Sequence, residues 1–243
     1  MPFVHQSPTF MSELMAYPPF PGLREEAFDF LRALADNNRR EWFKARKATY
    51  EDELKGPMEC LIADAARRMA GEDLPLTGDP KRSRFRIYRD TRFSNDKRPY
   101  KTNLGVVFDR SGKKKSPGVV YVHVEPGACF LAAGFYHPEV KYLRPVRQSI
   151  VDDPDGFERM LATMDERSLP VGPGDDMLTG MPRGFADHRD TPIADYLRWE
   201  NYLVRRTVDD DALKQPSFTD DVIEMARASQ PLLRYVWRAA SDR

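Results

Sequence analysis

Residues 83–103, SRFRIYRDTRFSNDKRPYKTN, mark the point where the chain changes its period. Upstream, apolar residues recur every three or four positions. From Ser83 they alternate instead, Phe85 and Ile87 against Arg84, Arg86 and Tyr88. A period of two is what a strand with one apolar and one cationic face produces. The same stretch is crowded with charge: from Lys81 to Lys101 nine residues are basic, and only Asp90 and Asp96 are acidic. Two cations roughly 8 Å apart in water repel by about 0.5 kcal/mol, so such crowding calls for anions, from the protein itself or from a ligand.

Downstream, further strands follow. Residues 104–109 read as a strand, and residues 119–125 and 129–135 flank Pro126-Gly127, a hairpin signal. Upstream, Leu23, Ala27, Phe30, Leu31 and Leu34 fall at helical spacing, and Asn37-Asn38 supplies a stop. A second helix over 39–54 carries Trp42, Phe43 and Tyr50, and Gly56-Pro57 is expected to break it. Pro57 then suits the first turn of a third helix with Met58, Leu61, Ile62, Ala65 and Met69 on one stripe.

Beyond the sheet the pattern is helical again, over 140–151, 156–166, 192–204 and 219–240, the last with Ser217 as N-cap. The Gly- and Pro-rich stretch 168–188 reads as a long ordered loop. The expectation is one α+β domain over 21–243, after a loose segment 1–20. It is helical over 21–72, an antiparallel β-meander of about four strands over 83–136, and helical over 139–240. N-terminal and C-terminal helices cover the sheet.

Composition sets bounds. At 243 residues, 41% hydrophobic and 31% charged, the chain is long enough for a well-buried core. No run approaches the roughly 18 to 20 apolar residues of a membrane span, and Met1 to Phe20 lacks the pattern of a secretory signal. A soluble, cytoplasmic protein is expected, with Cys60 and Cys129 reduced. The net charge of zero is unevenly placed, since residues 1–121 hold 23 Lys and Arg against 17 Asp and Glu. The compensating acids include Asp152-Asp153, Asp175-Asp176, Asp209-Asp210-Asp211 and Asp220-Asp221, any of which could fold against the basic segment. A neutral total also argues against nonspecific nucleic-acid binding.

The chemistry the basic segment suggests is anion recognition. Arg86, Arg89, Arg92, Lys97 and Lys101 offer charge-assisted donors to a phosphate or carboxylate, and Ser94 adds a neutral one. Tyr100 could contact the body of a ligand, while Asp90 and Asp96, ionised among cations, suit the orientation of arginines. Both acids are also turn-forming types. Of the four histidines, His5, His123, His137 and His188, only His123 has a carboxylate, Glu125, on its own strand face, and two ligands make no metal site. Walker, Rossmann, zincin and serine-hydrolase motifs are absent, and no cofactor is expected.

Four runs carry a likeness to a known family: Asn37-Asn38-Arg39-Arg40-Glu41-Trp42-Phe43; the segment from Phe85 to Thr102; Gly134-Phe135-Tyr136-His137-Pro138; and Pro182-Arg183-Gly184-Phe185. In these the chain resembles domain of unknown function 2461 (DUF2461), a family of bacteria and fungi whose activity is not established. The likeness spans most of the chain from Phe20 to Trp237. It implies that Asn38, Trp42 and the segment from Arg86 to Lys101 belong together, and it adds Arg183, where the family tends to carry Lys, to the candidate cations.

The resulting expectation is a site for a small anionic, phosphorylated ligand on Arg86, Arg89, Asp90, Arg92, Ser94, Asp96, Lys97, Tyr100, Lys101 and Arg183. The alternatives are a module that docks an acidic partner protein through the same cations, or a single-stranded nucleic-acid binder. Whether the protein is an enzyme stays open at this level.

Overall fold

The structure, a computed structural model, describes residues 8–92, 94–112, 114 and 116–241. His5 and Phe93 lie outside these, as do two lysines of the 112–117 loop. Four antiparallel strands form one sheet in the order β1-β2-β3-β4: β1 Leu104–Phe108, β2 Val119–Val124, β3 Phe130–Phe135 and β4 Tyr202–Thr207. Helices precede and follow the meander, so the α+β class holds. Among the described residues, no helix is long and apolar enough to cross a membrane.

Membership of the sheet differs from the alternation in the sequence. Residues 83–89 pair with the chain around β1 only through isolated bridges, Arg84 with Val106 and Tyr88 with Tyr100. The fourth strand comes instead from 202–207, inside a stretch that reads as helix over 192–204. There only Ala194–Arg198 is helical (α8 in chain order), and the chain extends from Trp199 onward. Gly134 explains how β4 fits: at φ +131°, a Cβ on it would sit 2.1 Å from the Tyr202 carbonyl oxygen, so only glycine lets the two backbones approach.

The described chain divides into two compact units, residues 1–116, 121–131 and 207–224, and residues 117–120, 132–206 and 225–243. In the first, α1 Pro8–Met15 packs Leu14 against Ala63 and Ala66, and Arg67 donates to the Leu14 and Tyr17 carbonyls. The described part of the segment expected to be loose is therefore docked. α2 Glu25–Asp36 matches its predicted stripe. The following helix does not break at Gly56-Pro57. Short helices α3 Arg40–Ala45 and α4 Lys47–Tyr50 lead through a π-helical turn, Glu51–Lys55, straight into α5 Gly56–Gly71. Gly56 N–H bonds back to the Glu51 carbonyl, and the wider turn accommodates Pro57, which has no N–H to give. α5 then packs on β1.

The second unit closes over aromatic rings. α6 Val140–Asp152 and α7 Pro154–Glu166 both pack against α11 Gln230–Ser241, and Phe157 meets Tyr196, Tyr202 and Tyr235 at centroid distances of 5.1, 6.0 and 5.3 Å. The predicted terminal helix over 219–240 is two helices, Phe218–Ala228 and α11, because Pro231 cannot continue the first ladder.

What positions the candidate site is the pairing of 83–89 with the chain before and in β1. Phe85 N–H donates to Gly105 O and Val107 N–H to Ser83 O, whereas Lys101 N–H donates to Ile87 O and Arg89 N–H to Pro99 O. Phe85 is thus level with Gly105 but Ile87 with Lys101, and residues 102–104 all stand opposite Arg86. This wide bulge advances Lys101 by two positions, about 6.6 Å of strand, toward Phe85. Beyond it, Tyr100 and Tyr88 form a non-hydrogen-bonded pair, which points the Tyr100 N–H and C=O away from the ladder. Asn38 takes both: its Oδ1 accepts from Tyr100 N at 3.0 Å and its Nδ2 donates to Tyr100 O at 3.0 Å. Tyr100 itself is 4% exposed and stacks on Phe43 at 4.2 Å. Replacing Asn38 by Ala leaves both backbone groups without partners. Chemical denaturation of Asn38→Ala is expected to show a loss of about 1–3 kcal/mol, and an unchanged midpoint would contradict the clamp.

Candidate functional site

The segment's two acids neutralise arginines of their own loop. Arg92 forks onto Asp90, with Nε 3.0 Å from Oδ1 and Nη2 2.6 Å from Oδ2. Asp96 holds Arg98, at 2.7 Å from Nη2, and also accepts from Arg89 Nη1. Arg92 keeps Asp90 below its ordinary carboxylate value, and Arg98 and Arg89 hold Asp96 far below it. Lys97 donates to the Thr91 carbonyl at 3.0 Å, and the Ser94 hydroxyl accepts from Asp96 N–H at 3.2 Å. Two of the acidic clusters that might have neutralised the segment are engaged elsewhere. Asp210 accepts from Gly127 N–H, Asp211 pairs with Lys214 and Asp220 with Arg68.

Alternation sends Arg84 and Phe85 to opposite faces. Arg84 turns toward the helices, where Nη1 donates to Tyr50 Oη at 2.9 Å and Nη2 lies 3.9 Å from Glu59 of α5. Its guanidinium is mostly shielded there. Phe85, 37% exposed, turns to the other face and meets the ring of Tyr121 on β2, centroid to centroid 6.1 Å. Lys101 Nζ lies 5.4 Å from the Phe85 centroid and Lys114 Nζ 4.8 Å. Lys114 also donates to the Arg84 carbonyl.

Neither lysine, nor Arg86, has a carboxylate partner among the described residues. Partial burial, then Arg86, pushes the Lys101 ammonium below its ordinary value. Partial burial, then Arg84 and Lys101, does the same to Lys114. The ring quadrupole stabilises each ammonium by about 0.5–1 kcal/mol but cancels no charge.

The rest of this face is an ordered polar row. Val120, Val122 and Val124 of β2 are buried, so Tyr121, His123 and Glu125 share the opposite side. His123 Nε2 is 3.1 Å from Glu125 Oε2, and His123 Nδ1 is 3.1 Å from Tyr121 Oη. A carboxylate only accepts, so Nε2 carries the hydrogen in the neutral ring, and Nδ1 accepts from the Tyr121 hydroxyl. Phe130 of β3 stacks on the imidazole at 4.5 Å and leaves the His123 side chain 11% exposed. Pro126-Gly127 makes the turn between these strands, with Gly127 at φ +75° and Ala128 N–H bonded to Glu125 O, as a type II turn requires. Gly105 gives the row its room: a Cβ there would sit 2.6 Å from Tyr121 Oη and 3.0 Å from the Phe85 ring.

Of the residues that the sequence singled out, the structure brings Arg86 and Lys101 together and ties Arg89, Asp90, Arg92, Ser94, Asp96 and Lys97 into the adjoining loop. Tyr100 is withdrawn into the core, where it cannot lie against a ligand. Arg183 is exposed in the second unit, in the turn that Phe185 N–H closes onto Pro182 O. Lys114, Tyr121 and Gly105 were not singled out. Tyr121 was within reach through period two, and Gly105 as a glycine inside a strand. Among the described residues no three His, Cys, Asp or Glu side chains converge as a metal site requires.

A family described as conserved hypothetical protein (DUF2461) matches residues 26–235. The chain belongs to this family. Compared with curated proteins and with solved structures, it matches none. In this DUF2461 protein the matched span covers the whole site, from Asn38 through Phe85, Lys101 and Tyr121 to Phe130.

The depressed lysines have a pH signature. Between their folded values and the ordinary ammonium value of about 10.4, the unfolded chain binds more protons, so stability contributed here rises as pH climbs through that window. The denaturation midpoint of the wild type, relative to a Lys101→Met/Lys114→Met variant, is expected to increase as pH rises toward the ordinary ammonium value of about 10.4. A constant difference would mean that both ammonium groups are fully solvated.

Proposed function

We propose that this DUF2461 protein binds a small anionic, phosphate-bearing ligand beside Phe85, on Lys101 and Lys114, with Arg86 near enough to Lys101 to add its charge. The observation that carries the reading is the pair of ammonium groups held over one phenyl ring with no carboxylate partner among the described residues. At the effective dielectric of a protein surface, two cations roughly 8 Å apart repel by about 2 kcal/mol, and an anion placed between them removes that penalty. Its oxygens would then accept charge-assisted hydrogen bonds of about 1.5–3 kcal/mol each.

The distribution of charge favours a small ligand over a polyanion or an acidic protein surface. Arg92 is forked onto Asp90 and Arg89 shares Asp96 with Arg98, so the loop's arginines are offset in part by their own acids, whereas Lys101 and Lys114 beside Phe85 have no carboxylate partner among the described residues. A polyanion draws its affinity from many phosphate contacts in a row. The free thiols Cys60 and Cys129 fit work in a reducing compartment, and we place it in the cytoplasm.

Calorimetric titration with inorganic phosphate and pyrophosphate tests the reading. Binding should weaken as salt rises, and Lys101→Met/Lys114→Met should lower affinity at least about tenfold, the equivalent of one charge-assisted bond. Arg92→Met, which removes a guanidinium already forked onto Asp90, should leave affinity unchanged. The opposite ranking of these variants would place the ligand on the loop, and no heat from either anion would refute the site.

A further inference from the structure

Resting on that reading, we propose that the site is catalytic: a phosphomonoester hydrolase in which Tyr121 is the nucleophile, His123 its base and Glu125 a positioning residue for His123. Three observations meet here. The Tyr121 hydroxyl, the His123 imidazole and the Glu125 carboxylate form a continuous chain with both links at 3.1 Å. That order, a hydroxyl bonded to a base that is bonded in turn to an orienting group, is the arrangement that activates a weak nucleophile. The imidazole is sandwiched against Phe130 and mostly shielded, which fixes its orientation as a solvated surface histidine would not be fixed. And the chain ends at the ring that carries the two lysines: a Cβ on Gly105 would meet both Tyr121 Oη and Phe85, and Lys101 and Lys114 lie over that same Phe85 ring.

A polar row on a strand face needs only the first of these features. The shielding, the glycine gap and the cations at one end are additional, and together they supply a nucleophile, a base and charge stabilisation for a phosphoryl group. The chemistry balances without an oxidant or a metal. Tyr121 Oη attacks phosphorus and its proton passes to His123 Nδ1. The bond from phosphorus to the ester oxygen breaks, and that oxygen takes a proton from water as the alcohol departs.

The imidazolium rests on the Glu125 carboxylate while Lys101 and Lys114 offset the charge of the phosphoryl oxygens. Water then attacks the phosphotyrosyl phosphorus and gives its proton to solvent. His123 Nδ1 returns the first proton to the tyrosine oxygen as that P–O bond breaks, and inorganic phosphate is released. A phenol, with an ordinary pKa of about 10, is a better leaving group than an alkyl alcohol, which favours the second half-reaction.

The test uses the full-length protein with p-nitrophenyl phosphate, alongside calorimetry with inorganic phosphate. The wild type should release nitrophenolate, and an acid-quenched sample should carry the added mass of a phosphoryl group on the peptide containing Tyr121. Tyr121→Phe should abolish turnover and adduct yet keep wild-type phosphate affinity, which also shows that it is folded. His123→Gln should slow turnover by about 10² to 10⁴-fold. Glu125→Gln should lower kcat with little change in KM, a split that a merely structural role would not give.

Phosphate binding with no nitrophenolate release, with turnover that survives in Tyr121→Phe, or with turnover but no Tyr121 adduct overturns the catalytic inference and leaves the binding reading standing. Absence of phosphate binding removes both.

Discussion

Asn38 donates to and accepts from the backbone of Tyr100, and that pair of bonds holds a strand-like segment in a register it would not otherwise keep. On one side of the clamp, Tyr100 faces Tyr88 and lies on Phe43 in the core. On the other, residues 102–104 loop out opposite Arg86 before regular pairing resumes at Gly105. Without the two-residue advance, Lys101 would stand about 6.6 Å farther down the strand and could not approach the Phe85 ring. A hydrogen-bonded turn in the helical layer thus sets where a cation falls on the sheet. The family motif that joins Asn38 to the 85–102 segment has a physical reason in this contact.

The same segment shows how a crowded charge run is resolved. Most of its arginines are paired by Asp90 and Asp96, two or seven residues away in sequence, at the exposed surface where each such pair contributes about 0–1 kcal/mol. Arg84 is drawn inward to Tyr50 and Glu59. Lys97 is held by the Thr91 carbonyl, and Lys101 and Lys114 meet at one aromatic ring, Phe85. The arginines paired with Asp90 and Asp96 are tied into the loop, whereas Lys101 and Lys114 meet an aromatic ring and no carboxylate among the described residues.

Much of this was legible in the sequence. The stripe Leu23 to Leu34, the strands over 104–109, 119–125 and 129–135, and the Pro126-Gly127 turn carry their own local physics, and the structure reproduces them. His123 falls against Phe130, as a two-residue turn demands. What was not legible depends on partners distant in the chain. Strand β4 lies in a stretch that reads as helix, and it is fixed by the close approach to Gly134. Pro57 does not break its helix, because a π-helical turn takes up the missing donor. Phe85 and Ile87 both alternate as apolar residues, yet only Ile87 is buried, and no local pattern tells them apart. The pairing of Asp90 with Arg92 and of Asp96 with Arg98 was visible as a repeated Asp-x-Arg spacing. The role of Lys114, in a loop of lysines, was not.

The central claim is that an external anion sits between the Lys101 and Lys114 ammonium groups over Phe85. Its most direct test is a nuclear magnetic resonance titration of lysine-labelled protein with inorganic phosphate, in which each lysine side chain is followed separately. The account predicts that the resonances of Lys101 and Lys114 move together and saturate, while Lys97, bound to the Thr91 carbonyl, stays in place. Equal small drifts of all the lysines, or saturable movement at Lys97 with Lys101 and Lys114 unmoved, would contradict it.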